Sequence, residues 1–154
     1  MHADYVIVGG GTAGCVLAQR LSADPSLQVV LVEAGDADTS PWIRMPAGVA
    51  KLYPHPRLNW RYWTEPEPAL EGRRLYWPRG KVLGGTSAIN GMTFVRGNPA
   101  DFDDWARLAG DGWSWESVLP YFRRLEAATL GDPALRGRDG PVAVRGVAAP
   151  HPLS

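Results

Sequence analysis

The chain has 154 residues, enough for about one domain, and its 45% hydrophobic and 21% charged residues are typical of a globular protein. Sixteen basic and sixteen acidic residues cancel, so nothing in the charge favours a nucleic acid or a membrane surface as partner. The single cysteine cannot form an internal disulfide, and no apolar run approaches the roughly 18 residues of a membrane span. No secretory leader is recognised either, so we expect a cytoplasmic protein.

The N-terminal residues predict a strand, a helix and a second strand. Tyr5–Val8 is an apolar run that ends in three glycines, as is typical of a strand buried in a parallel sheet. Thr12–Leu21 has apolar residues at helical spacing, and Val29–Val32 is a second apolar run, closed by Glu33. A βαβ unit at residues 4–35 therefore predicts an α/β protein with a Rossmann-type core.

Regular structure is predicted to be sparse after this unit. Residues 36–97 are rich in proline and tryptophan and predict long loops. Loops of this length are usually functional or disordered, and the aromatic residues favour a functional role. We expect residues 98–154 to form a helical and linking segment. The further elements that we predict are a helical turn at 87–91, a helix from Asn98-Pro99 to Gly110, a helix at 115–126 capped by Ser114 with Pro120 near its first turn, and a strand at 142–145.

The turn GGGTAG at residues 9–14 fits the dinucleotide-binding pattern G-x-G-x-x-G between a strand and a helix. Gly9 would make the tight turn, Gly11 would let the backbone approach a pyrophosphate, and Gly14 would let the helix pack on the strand. The helix N-terminus adds free N–H groups, and Glu33 could accept hydrogen bonds from a ribose diol. The motif predicts a dinucleotide site and leaves NAD and FAD open.

No catalytic or metal-binding residue is predicted. His2, His55 and His151 have no carboxylate or serine partner at a telling spacing, and no metal-ligand spacing is present. Cys15 is interpreted as a small buried residue of the first helix. GKVLGGTS is not a Walker A loop, because Lys81 precedes the glycines.

The stretch GKVLGGTSAINGMTFVRGNPADFD at residues 80–103 resembles the first signature of the glucose–methanol–choline (GMC) oxidoreductases, which hold FAD. The segments DYVIVGGGTAGCVLAQRLS, VVLVEAG, NWRYWTEPE and GPVAV…HPLS are also similar to members of that family, so the resemblance extends over nearly the whole chain. It implies that the chain is an incomplete part of a larger two-domain fold, namely the N-terminal part of the FAD-binding domain.

The resemblance also implies roles for individual residues along an extended FAD. Those expected at the pyrophosphate are Gly9, Gly11, Thr12, Ala13 and Gly14, and those at the adenosine ribose are Glu33 and Ala34. Trp60 would lie against the cofactor. Residues expected at the flavin-side phosphate and ribitol are Arg79, Gly80, Lys81, Val82, Leu83, Gly85 and Thr86, and those lining the isoalloxazine are Asn90, Gly91, Met92 and Thr93.

At one position the residue differs from that in some members of the family. Those members have a histidine immediately before the equivalent of Asn90 and bind FAD covalently through it, whereas this chain has Ile89. Isoleucine has no nucleophile, so we expect FAD to be bound without a covalent link.

The activity implied is oxidation of a small-molecule alcohol by an FAD-dependent dehydrogenase or oxidase. In the family, a second domain builds the substrate site and a histidine near the C-terminus acts as the base, and we find neither in this sequence. We therefore expect residues 1–154 to be inactive alone and to require the remaining C-terminal chain or a partner chain. Two alternatives stay open: an FAD-binding fragment that is inactive without a partner, and a non-redox member such as a hydroxynitrile lyase.

Overall fold

A computed structural model describes residues 2–146 of the chain. The chain divides into two compact units, of which the first ends at Thr93 and the second begins at Phe94. No helix within residues 2–146 has the length and apolar character needed to cross a membrane.

The first unit begins with the predicted βαβ motif. Strands β1 (Tyr5–Val8) and β2 (Val29–Val32) pair in parallel, with Tyr5 opposite Val29 and Val8 opposite Val32. Helix α1 (Thr12–Leu21) connects them. All three elements have the predicted bounds, and the Rossmann-type α/β class is confirmed. The predicted burial of the first strand is wrong: Tyr5, Val6 and Val8 are exposed, because β1 and β2 form a sheet of only two strands in the described residues.

The proline-rich loops contain short elements that the sequence did not indicate. Helix α2 (Val49–Leu52) forms one turn, and strands β3 (Tyr62–Trp63) and β4 (Tyr76–Trp77) pair antiparallel. Two-residue strands between prolines have no detectable alternation, so sequence periodicity could not reveal them.

The predicted helical turn at 87–91 was misplaced. A 3₁₀ turn instead occupies Gly85–Ala88; Gly84 precedes it with a φ of 94°, and Gly85 begins it with a φ of 58°. These left-handed angles favour glycine and let the chain reverse before the turn. Ile89 then leaves the helical conformation and its side chain is buried.

A small hydrophobic core anchors these loops. Its buried members are Leu52, Leu58, Val82 and Ile89. Two of them belong to the glycine-rich stretch at residues 80–91, so side-chain packing holds that stretch in place although most of its residues are small.

The second unit contains two helices and a pair of strands. Helix α3 (Pro99–Ala109) begins with a capping box between Asn98 and Asp101, as the Asn-Pro pair predicted. Helix α4 (Trp115–Leu125) is capped by Ser114, and strands β5 (Glu126–Ala128) and β6 (Val142–Val144) pair in parallel.

Three details of that unit were predicted wrongly. Glu126 is the first residue of β5 and not the last of α4, and β6 ends at Val144 and not at Arg145. Pro120 lies inside α4, in its second turn and not near the first.

A buried ion-pair network explains why the helix stops before Glu126. The Glu126 side chain is fully buried, and its carboxylate accepts hydrogen bonds from the guanidinium groups of Arg96 and Arg136 and from the Gly137 N–H. Burial acts to raise the pKa of Glu126, but the Gly137 N–H and the two arginines outweigh it and hold the pKa below its usual value. The carboxylate therefore stays charged in the fold.

Candidate functional site

The turn between β1 and α1 depends on close backbone packing. A Cβ at position 14 would collide with the carbonyl oxygen of Gly9, and Gly9 itself has a φ of 99°. Position 14 has no space for a side chain, whereas at position 9 there is space but the left-handed φ would be strained for any residue other than glycine. The roles predicted for Gly9 in the turn and for Gly14 in helix packing agree with this geometry.

The N-terminus of α1 is open at this turn. No side chain caps it, and its first turn has no acidic residue. A Cβ at Gly11 would meet no atom within 4 Å, so the space beside this backbone is free. The first N–H groups of a helix lack intrahelical acceptors and carry the positive end of its dipole, which suits a phosphate group.

Glu33 connects the end of β2 to the glycine turn. Its Oε2 accepts a hydrogen bond from the Gly10 N–H at 2.7 Å, and its Oε1 accepts one from the Gly35 N–H at 2.8 Å. The side chain is half-buried. Each carboxylate oxygen keeps a further lone pair, so Glu33 can support the turn and still accept hydrogen bonds from a ligand hydroxyl.

The second glycine-rich stretch lies directly against the first. The Gly84 N–H donates to the Gly10 carbonyl at 2.7 Å, and a Cβ at Gly85 would lie 2.8 Å from the Gly11 Cα. The same Gly10 carbonyl oxygen also accepts a hydrogen bond from the Cys15 thiol, with an S···O distance of 3.2 Å. The fold thus joins two segments, about 70 residues apart in sequence, into one surface beside the N-terminus of α1.

Residues 79–83 run from the loops to this junction. The Leu83 N–H donates to the Asp36 carbonyl at 2.9 Å, and the Leu83 side chain faces Gly10. The Val82 side chain lies in the hydrophobic core, so only its backbone could face a ligand. The Thr86 hydroxyl accepts a hydrogen bond from the Gly80 N–H at 3.2 Å, which folds the stretch back on itself.

Two cations lie on tryptophan rings beside this stretch. The Lys81 Nζ is 4.6 Å from the centroid of the Trp60 ring, and the Arg79 Cζ is 4.9 Å from that of Trp77. Within residues 2–146 neither cation pairs with a carboxylate, so both remain available to an anionic ligand.

The four residues predicted to line the isoalloxazine follow the buried Ile89 and are all exposed: Asn90, Gly91, Met92 and Thr93. The Asn90 Oδ1 accepts a hydrogen bond from the Met92 N–H at 2.8 Å, and Met92 has a φ of 58°. In the part of the chain that the structure describes, neither these four residues nor Trp60 bonds to the glycine turn. Of the remaining predicted residues, Thr12, Ala13 and Ala34 are exposed at the turn and at the end of β2.

Four residues that shape the site were not predicted from the sequence: Gly10, Gly35, Asn59 and Gly84. Gly35 packs against the backbone of Lys81 and Val82, where a Cβ would collide. Gly10 and Gly84 stand in the glycine runs already singled out, and Asn59 begins the NWRYW stretch, but their contacts join distant segments and leave no local pattern.

Neither of the two histidines that the structure describes, His2 and His55, has a visible catalytic arrangement. The His55 Nδ1 accepts hydrogen bonds from the N–H groups of Arg57 at 3.3 Å and Leu58 at 3.1 Å, so it closes a turn. His151 lies outside the described residues. Among residues 2–146 no group of three histidine, cysteine or acidic side chains is placed to hold a metal ion.

Together these features fit an extended dinucleotide. The open face at Gly11 and the free helix N-terminus suit a pyrophosphate, Glu33 suits a ribose, and the junction of the two glycine-rich stretches lets a backbone pass close to a ligand.

Comparison with known proteins gave consistent matches. A family model described as GMC oxidoreductase matches residues 3–153. An oxygen-dependent choline dehydrogenase from Sinorhizobium fredii is 48% identical over 153 residues, which are 99% of this chain and 28% of that protein. An alcohol dehydrogenase [acceptor] from Pseudomonas putida is 47% identical over 152 residues, 98% of this chain and 28% of that protein.

Solved structures are similar over the same region. The crystal structure of a pyridoxine 4-oxidase from Mesorbium loti has a TM-score of 0.84 and 41% identity, covering 92% of this chain and 28% of that one. A formate oxidase variant from Aspergillus oryzae, studied for FAD modification, has a TM-score of 0.82 and 35% identity, covering 96% of this chain and 27% of that one. The chain spans 28% of the length of the curated relatives named here.

Proposed function

Because the chain belongs to the GMC oxidoreductase family, we propose that it is the N-terminal FAD-binding part of an enzyme that oxidises an alcohol. One observation carries the proposal: the Gly84 N–H bonds to the Gly10 carbonyl and brings the family's glycine-rich stretch to the open N-terminus of α1. The relatives named as choline and alcohol dehydrogenases support the alcohol as substrate class.

In this proposal the glycine turn holds the adenosine side of FAD. The free N–H groups at Thr12 and Ala13 and the open face of Gly11 bind the pyrophosphate, because the helix dipole and unpaired donors favour negative charge there. Glu33 accepts hydrogen bonds from the ribose hydroxyls while it keeps its bonds to the turn, and Ala34 lies beside it.

The second glycine-rich stretch holds the flavin side. Arg79 and Lys81 supply positive charge for the phosphate, and the backbone from Gly80 to Thr86 passes along the ribitol, with Val82 contributing backbone atoms only. Trp60, whose ring carries Lys81, lies against the cofactor with its exposed part. The exposed backbone from Asn90 to Thr93 lines the isoalloxazine, where the Asn90 amide meets its polar edge.

FAD is held by these contacts without a covalent bond. The residue at the linking position of some family members is Ile89, which has no nucleophilic atom and is only 1% exposed within the core. Retention of the cofactor then depends on the hydrogen bonds and charges described above.

When bound, FAD supplies the two-electron acceptor for a hydride from the carbinol carbon. The residues of this chain bind and orient the cofactor. The base that takes the alcohol proton and the substrate site belong, in this proposal, to further chain of the complete protein. In the same proposal residues 4–35 form the βαβ core, residues 36–97 wrap the cofactor, and residues 98–154 connect this part to the rest of the complete protein.

The test uses the full-length protein under anaerobic conditions. Choline and a series of primary alcohols are added in turn, and the visible absorbance of the flavin is followed. Bleaching by at least one alcohol, with formation of the aldehyde, is the expected result. A protein that binds FAD but is bleached by no alcohol, although dithionite reduces it, would contradict alcohol oxidation and favour a non-redox member of the family.

A further inference from the structure

Asn59 is one of two buried polar side chains among the described residues, and it is only 2% exposed. The other, Glu126, is charged and paired. A buried carboxamide is costly unless its donors and acceptor are all satisfied, so its hydrogen bonds indicate what it holds together.

The Asn59 carboxamide uses its full hydrogen-bonding capacity. Its Oδ1 accepts from the Arg61 N–H at 2.8 Å and the Arg79 N–H at 3.0 Å. Its Nδ2 donates to the Tyr53 carbonyl at 2.7 Å and to the Tyr76 hydroxyl at 3.3 Å. Four bonds from one side chain join three separate stretches of the loops.

The bond to Arg79 lies within a short backbone ladder. The Trp60 N–H donates to the Arg79 carbonyl at 2.8 Å, and the Lys81 N–H donates to the Leu58 carbonyl at 2.9 Å. Asn59 stands between these two pairs and is opposite Gly80. The Asn59 side chain therefore adds a hydrogen bond, from the Arg79 N–H, that can form only when residues 58–60 pair with residues 79–81 in this register.

Alignment matters here because it sets the direction of the two cations. Successive residues in an extended stretch point to opposite faces, so a slip by one residue would turn both Arg79 and Lys81 away from their present side. It would also displace Leu83 and Gly84, which contact the glycine turn a few residues later.

We propose that Asn59 is a positioning residue for the cofactor site: through its Oδ1 it holds residues 79–81 in the alignment that presents Arg79, Lys81 and the Gly84 junction to the ligand. The inference rests on the proposed function, since the ligand is FAD. Asn59 itself touches the ligand nowhere in this proposal and acts through the backbone of Arg79.

Two substitutions in the full-length protein separate positioning from general stability. Asn59→Leu has a similar volume and removes all four bonds. Tyr76→Phe removes the hydroxyl that donates to the Tyr53 carbonyl and accepts from Asn59, but leaves both bonds of Oδ1 intact. Both variants should lower the melting temperature of the apoprotein, so melting alone does not distinguish them.

Three measurements distinguish them. Amide hydrogen exchange of the apoprotein should speed up in peptides containing Arg79 in N59L and stay unchanged in Y76F. The dissociation constant of FAD should rise roughly tenfold or more in N59L, because the unsatisfied groups distort the stretch, and less than about twofold in Y76F. The visible circular dichroism of the bound flavin should change in N59L alone.

Unchanged exchange at Arg79, or equal weakening of FAD binding in both variants, would overturn the inference. Failure of the wild-type protein to bind FAD would overturn the proposed function, whereas wild-type FAD affinity in N59L would overturn this inference only. If N59L does not fold, Asn59→Asp replaces it. Its carboxylate keeps an oxygen that can accept from the Arg61 and Arg79 N–H groups but has no donor to replace Nδ2. Exchange at Arg79 and FAD affinity should therefore stay near those of the wild type, and faster exchange at Arg79 together with weaker FAD binding would contradict the role of Oδ1.

Discussion

Replacing Gly11 and Gly14 by alanine should have opposite effects, although both lie in the same glycine turn. Gly11 has a φ of −76° and a ψ of −173°, which any residue adopts, and its new methyl group would point into free space. We therefore expect Gly11→Ala to change the free energy of unfolding of the ligand-free protein by less than about 1 kcal/mol.

The same methyl group would occupy the space that we assign to the pyrophosphate. We expect the FAD dissociation constant of Gly11→Ala to rise at least roughly 100-fold, which corresponds to about 2.7 kcal/mol of binding free energy. At position 14 the methyl group would collide with the Gly9 carbonyl, so α1 must move away from β1. Overpacking of this kind costs about 1–3 kcal/mol or more of stability.

The assay is urea unfolding of the ligand-free full-length protein, followed by fluorescence titration with FAD. Gly11→Ala should unfold at the wild-type urea concentration and bind FAD weakly, whereas Gly14→Ala should unfold earlier. Wild-type FAD affinity in Gly11→Ala would refute the placement of the pyrophosphate beside Gly11. Wild-type stability in Gly14→Ala would refute the close packing of α1 on the turn.

Three further predictions concern other parts of the chain. Glu33→Gln should weaken FAD binding by roughly 1.5–3 kcal/mol in a fluorescence titration, since a charged acceptor to the ribose is lost; unchanged affinity would remove Glu33 from the ribose site. Because Ile89 cannot form a covalent link, acid precipitation should release all flavin into the supernatant, and flavin in the pellet would contradict the proposal. Glu126→Gln should lower the free energy of unfolding by about 3–5 kcal/mol at neutral pH, because it breaks a buried ion pair. The control Asp104→Asn, in the exposed Asp104–Arg107 pair, should lower it by less than about 1 kcal/mol. Since the folded pKa of Glu126 is lowered, its contribution is fully present above the unfolded pKa and is lost as the pH falls through the folded pKa; denaturation curves in which wild type and Glu126→Gln respond alike to pH would contradict this.

The elements that could be read from the sequence are those with local causes. An apolar run, three glycines and a helical spacing of apolar residues follow one another within 32 residues, and β1, α1 and β2 have the predicted bounds. The two residues of the α3 capping box, Asn98 before the helix and Asp101 in its first turn, lie three positions apart and need no distant partner. The glycine-rich stretch at residues 80–91 could likewise be recognised, because its composition and its similarity to a family signature are both properties of consecutive residues.

The features that the sequence did not reveal all depend on pairs of distant residues. Gly84 reaches Gly10, Asn59 reaches Arg79, and Glu126 leaves the helical pattern because Arg96 and Arg136 pair with its carboxylate in a buried site. Local propensity carries no trace of such contacts, and it favoured a helix at Glu126 because glutamate is a good helix former. The glycines and charges of the site were therefore identifiable one by one from the sequence, whereas their assembly into a single surface follows from long-range packing that overrides local preference.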